Sequence, residues 1–223
     1  MTLPHFHARL NKRPYSRAEL IADGVVHVAA IMAGLAAFAS LLTFVSLRGE
    51  TSHIVALAVY AAGFFMMFGF SLAYNMTPVS KLKWVLRRFD HSAIYIMIAA
   101  TYTAFLAPFS GEQWGWILMA VVWSAAIAGC IIKLAMPGRY DNLAIALYVL
   151  LGWAALFVFQ PIVNALPLSA LVLLVAGGVT YTAGVVFYKW HSLRFQNAIW
   201  HSFVAVGAGL HLAGVTVNFS TLI

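Results

Sequence analysis

Apolar residues run through this chain in long unbroken blocks, not in the three-and-four spacing of a helix with one wet face. Seven blocks hold no Lys, Arg, Asp or Glu: Gly24–Leu47, Ile54–Tyr74, Ser92–Ser110, Trp114–Ile132, Leu143–Leu166, Leu168–Tyr188 and Ala198–Leu222. Each is close to the roughly 20 helical residues that cross a hydrocarbon core. Strands of a membrane barrel would instead alternate over about ten residues. The pattern predicts an all-α polytopic membrane protein, a seven-transmembrane helix bundle. The spacers between blocks are too short for a second domain. A basic segment, residues 1–18, precedes one seven-span domain, residues 19–223.

Composition sharpens this picture. Hydrophobic residues make up 63% of the chain and charged residues 9%, whereas soluble domains hold about half and about a quarter. Of the 13 Lys and Arg, all but Arg48 fall at alternate ends of the spans. They lie before the first, between the second and third, around the fourth-to-fifth joint and in the sixth-to-seventh. The positive-inside rule then puts the N-terminus in the cytoplasm and the C-terminus outside the inner membrane. A net charge of +7 spread over such loops suits anionic headgroups, and nucleic acid is not an expected partner. Residues 1–18 contain no apolar core of a signal peptide, so no cleavage is expected. The Lys81–Arg88 stretch, KLKWVLRR, reads as a short amphipathic turn on the membrane surface. The single Cys130 excludes an internal disulfide framework or a cysteine zinc cluster.

The informative residues are the polar ones that membrane helices tolerate, since each costs free energy at membrane depth and usually faces the bundle interior. Glu19, Asp23 and His27 recur every four residues at the start of the first span. Ser71 and Asn75 end the second, Asp90 and His91 open the third, and Asn197 and His201 open the seventh with His211 beyond. At about 100° per residue, Asn197, His201 and His211 share one face. All four groups fall at the same side of the membrane, which predicts a polar pocket open toward the cytoplasm. Blander roles stand beside this one. Glu19 and Asp23 suit the positive end of a helix dipole, Asp90 can cap a helix, Ser71 can bond its own backbone, and His27 can be an interhelical hydrogen bonder.

Specific motifs carry a family resemblance: YSRAELIADGVVH (15–27), SLAYN (71–75), RRFDHSAIYIMIAATYTAF (87–105), PGRYDNL (137–143) and NAIWHSFVAVGAGLH (197–211). The chain resembles the hemolysin III family, the bacterial branch of the progestin and adiponectin receptor superfamily, from about Tyr15 onward. The resemblance implies seven helices with a cytoplasmic N-terminus. It implies a zinc site with one ligand from Ser-x-x-x-His at the end of the second helix and two from His-x-x-x-His at the start of the seventh. An Asp opening the third helix, here Asp90, would hold a metal-bound water. It further implies kinship with ceramidase-like lipid amide hydrolases and a role in membrane lipid and energy homeostasis.

This sequence departs from that pattern. Asn75 and Asn197 stand at two of the three imidazole positions, and Ser71, Asp90 and His201 alone match. A neutral amide is a poor zinc ligand, so zinc is expected to be absent or weakly held. The preferred expectation is a membrane protein that binds or senses a lipid or fatty acid through the pocket, with a degenerate metal site. One alternative is a zinc-dependent lipid amide hydrolase with Asp90 and Ser71 catalytic and His201, His211 or His91 recruited to the metal. A second is a pore-forming cytolysin, for which the apolar outer halves of the spans offer no polar path.

Overall fold

A computed structural model describes residues 15–222, so the first fourteen residues of the basic segment lie outside the described residues. The chain folds into seven helical segments long and apolar enough to cross a membrane. They are α1 (Arg17–Arg48), α2 (Thr51–Met76), α3 (Lys81–Leu106, prolonged by a 3-10 turn at Ala107–Phe109) and α4 (Gln113–Ala135), followed by a broken fifth span. After the break come α7 (Leu168–Lys189) and α8 (Gln196–Leu222). The fifth span consists of α5 (Asp141–Gly152), a 3-10 stretch (Ala154–Val158) and α6 (Phe159–Ala165).

α3 is the hub. In its most apolar stretch 61% of residues are buried, against 17% in the fifth and sixth spans, which turn most of their surface outward. The small residues Ala99, Ala100 and Ala104 are fully buried on α3, and α2 meets them through Gly63, where a Cβ would lie 2.7 Å from that of Ala100. Close approach through small residues supplies the van der Waals contact that holds membrane helices together. Gly177 and Gly184 do the same for α7, facing His211, Phe203 and Trp200 of α8. At the α1–α2 seam lies an aromatic core of Phe38, Tyr60, Phe64 and Phe68.

Two expectations need correction. The KLKWVLRR stretch is not a surface turn but the first turns of α3, capped by the Ser80 hydroxyl, which accepts from Lys83 N at 3.2 Å. Two of its cations, Lys83 and Arg87, are buried because they have work there. Lys83 Nζ donates to the carbonyls of Tyr74 (2.8 Å), Asn75 (3.4 Å) and Thr77 (2.9 Å), the acceptors left over at the end of α2. The fifth span is not one continuous helix. Pro161 has no N–H to give, and its ring excludes a regular helical carbonyl four residues earlier. Tyr102 of α3 satisfies the freed backbone: its hydroxyl donates to Gly152 O at 3.0 Å and accepts from Ala155 N at 2.9 Å. Non-helical backbone at membrane depth survives only with such internal partners.

Candidate functional site

The start of α1, the end of α2 and the starts of α3 and α8 meet at the end of the bundle that carries the basic segments. Between them opens a cavity of about 550 Å³. Ser71, Asn75, Lys83, Asp90, Asn197 and His201 border it at this end; Phe105, Leu106, Phe109, Ile162 and Leu166 border it at the other. The lining thus changes from polar to apolar along the depth of the bundle.

His201 is the centre of the polar end. Its Nδ1 lies 2.6 Å from Asp23 Oδ1 and its Nε2 lies 3.4 Å from Ser71 Oγ. The ring of His27 approaches it edge-on with centroids 4.4 Å apart. Asp23 and His27 stand one turn apart on α1 and are almost wholly buried, at 1% and 0% exposure. His27 Nδ1 sits 2.8 Å from the Asp23 carbonyl oxygen. A carbonyl only accepts, so in the neutral imidazole the ring proton is on Nδ1 and Nε2 keeps a lone pair.

Beside this cluster the two asparagines form a pair. Asn197 Nδ2 donates to Asn75 Oδ1 at 3.0 Å, and Asn75 Nδ2 donates to the Ser71 carbonyl (2.9 Å) and hydroxyl (3.3 Å). Tyr15 completes the chain by donating to Asn197 Oδ1 at 3.1 Å. Asp90 borders the same cavity, beside Ser71 and close to His201.

The remaining sequence candidates are placed differently. Glu19 belongs to the helix cap: its carboxylate accepts from Ser16 N (2.9 Å) and, across the bundle, from Phe195 N (3.0 Å). It ties the entry to α8 onto α1. His211 lies ten residues beyond His201, about 15 Å deeper at 1.5 Å per residue, and gives its Nε2 proton to Leu174 O at 3.1 Å. It borders the cavity but is not part of the cluster. His91 borders the cavity and its Nε2 lies 3.9 Å from Asp90 Oδ2, while its carbonyl accepts from Tyr148 at 2.7 Å.

Sequence reasoning treated the other buried charges as loop residues. Asp141 accepts from Arg87 Nη2 at 2.6 Å and from Lys133 Nζ at 2.7 Å, joining the third, fourth and fifth spans at the same end. Tyr140 and Gly138 enter this knot with φ of 58° and 76°. At Gly138 a Cβ would also lie 2.8 Å from Arg87 Nη1. The signal was present in the RYD of PGRYDNL and in the four-residue spacing of Lys83 and Arg87.

The fold and this polar end define the class: a seven-span helical membrane protein with an interior site gathered from helices far apart in sequence. The family model described as haemolysin-III related matches residues 18–212, and the chain belongs to that family. It is similar to Hemolysin-3 of Bacillus cereus, 33% identical over 86% of this chain and 88% of that protein. It is also similar to a Hemolysin-3 homolog of Bacillus subtilis, 32% identical over 85% and 89%. The human Monocyte to macrophage differentiation factor is 29% identical over 69% of this chain and 66% of its own length.

The three-imidazole zinc site that the family resemblance implies does not fit the residues here. Asn75 and Asn197 hold each other, and both of their amide oxygens already accept hydrogen bonds. Neither side chain is a zinc donor of the usual kind. Of that set, His201 alone supplies an imidazole.

Proposed function

We propose that this protein binds a membrane lipid in its interior cavity and acts through it in membrane lipid or energy homeostasis. In this reading it lies in the bacterial inner membrane with its basic loops and the polar end of the cavity toward the cytoplasm. The observation that carries the reading is the graded lining of the cavity. Asp90, Ser71, Asn75 and Asn197 offer hydrogen bonds at one end, and Phe105, Leu106, Phe109 and Leu166 offer only apolar contact at the other. That is the shape of an amphiphile with its headgroup among the polar residues and its acyl chain along the helices. The volume falls in the roughly 300–1,000 Å³ range of small-molecule sites. The apolar far end also argues against an ion-conducting pore, which needs a polar path throughout.

The test is mass spectrometry of lipids extracted from the detergent-purified protein, beside Val185→Trp, which fills the cavity from α7. A lipid or fatty acid enriched over the bulk membrane, and lowered several-fold in the variant, is the expected result. A lipid profile equal to the bulk membrane in both proteins would reject the reading.

A further inference from the structure

We propose that this protein holds a divalent transition-metal ion between Asp23, His27 and His201, a ligand set built mainly on α1. It shares only His201 with the positions that the family resemblance implies. One potential ligand atom from each of the three residues lies within 4.8 Å of the others, and all three residues are buried. A tetrahedral ion with bonds near 2.0–2.1 Å holds its ligand atoms about 3.3 Å apart. Side-chain rotations that draw the three atoms inward by about an ångström complete the site.

The state of the ligand atoms points the same way. His27 gives its Nδ1 proton to the Asp23 carbonyl at 2.8 Å. Metal-bound histidines are held in this way, the second nitrogen donating to a carbonyl or carboxylate so that the first presents its lone pair. The His27 Nε2 that is thereby left as an acceptor is buried and meets no donor among the described residues. Asp23 Oδ2 is in the same position, buried and without a hydrogen-bond partner among the described residues, although Oδ1 is engaged by His201 at 2.6 Å. Two acceptors without donors, one of them a carboxylate oxygen, are costly at this depth. A cation bound by these two atoms would give each of them a partner.

Two imidazoles and one carboxylate select a borderline ion of the first transition row such as Zn²⁺ or Co²⁺, not Mg²⁺ or Ca²⁺, which take oxygen ligands. His27 and His201 border the cavity together with Asp90 and Ser71, and Ser71 Oγ lies 3.4 Å from His201 Nε2. The open coordination position would therefore face the polar end of the cavity. The replaced family ligands are not needed: Asn75 and Asn197 close the old position by bonding each other, and the ion shifts toward α1.

The test uses the full chain, purified in detergent, stripped with a chelator and reloaded with Zn²⁺ or Co²⁺. Elemental analysis should find about one ion per chain, and bound Co²⁺ should show the visible absorption of a low-coordinate site. Asp23→Asn and His27→Gln should each weaken binding at least tenfold, whereas Asn75→Ala and Asn197→Ala should leave it within a few-fold. Asp23→Glu, which keeps the carboxylate, should retain more metal than Asp23→Asn. Should a variant fail to fold, X-ray absorption of the zinc-loaded wild type decides, with two imidazoles expected. No binding by the wild type would overturn the proposal. So would unchanged binding by both α1 variants, or a count of three imidazoles. None of these readouts requires a lipid, so failure here and failure of the lipid reading are separate results.

Discussion

Two buried charged clusters sit at the same end of the bundle, and they are finished differently. At Asp141 both carboxylate oxygens are taken, one by Arg87 and one by Lys133, and Lys133 also donates to Arg139 O at 3.0 Å. At Asp23 one oxygen is engaged by His201 and the other is not, and His27 beside it presents a bare lone pair. The first cluster is closed and joins three spans. The second has unused bonding capacity and lies against a cavity. Burial and charge alone do not separate a structural knot from a site, but the accounting of lone pairs does.

The largest effect is expected from the closed cluster. Asp141→Ala leaves Lys133 and Arg87 buried without their carboxylate. It should cost about 3 kcal/mol, the lower end for breaking a buried pair because Asp141 itself is 29% exposed. Thermal unfolding in detergent should show the loss, while the metal content of the folded fraction stays as in the wild type. A variant that melts like the wild type would mean that the triad does not hold the spans together.

The open cluster should respond to metal more than to mutation. In chelator, Asp23→Asn should differ from the wild type by no more than about 1 kcal/mol, since an amide oxygen can still accept from His201. With free Zn²⁺ at a hundred times its Kd, the wild type should gain about 2.7 kcal/mol and the variant nothing comparable. Equal zinc-induced shifts in melting temperature would erase the distinction between the clusters.

The smallest effect belongs to the rim. Tyr15→Phe removes the hydroxyl that bonds Asn197 and Gln196 at 3.1 and 3.2 Å. It should cost about 0.5–1.5 kcal/mol, the net worth of a neutral hydrogen bond. Melting curves of the variant with and without zinc should shift in parallel. A loss confined to the zinc-loaded protein would extend the open cluster to the asparagine pair.

The seven spans were legible because an oily block and its flanking charges are local features of sequence. The meeting of Ser71, Asn75, Asn197 and His201 was legible for a related reason: topology brings those helix ends to one side, and four-residue spacing assigns each helix a face. The partnership of Asp23 and His27 with His201 was not. It depends on how α1 is rotated against α8, which spacing within either helix does not state. Lys83 and Arg87 were misread because a cation beside an oily run looks like a loop. Only the carbonyls at the end of α2 and the carboxylate of Asp141 explain their burial. The break in the fifth span was equally hidden, since Gly152 and Pro161 in an apolar run do not reveal that Tyr102 stands opposite.

That tyrosine also imposes an order of events during synthesis. Its partners Gly152 and Ala155 follow it by 50 and 53 residues. At about 5–20 residues per second the ribosome makes Tyr102 some seconds before them. When the broken span enters the bilayer, the hydroxyl that must serve it is already there on α3. A circular permutant that delivered the fifth span first would insert exposed backbone groups into hydrocarbon and hold them there until the third arrived. The chain order of the two spans is thus part of how the bundle is assembled, beyond how it is held once formed.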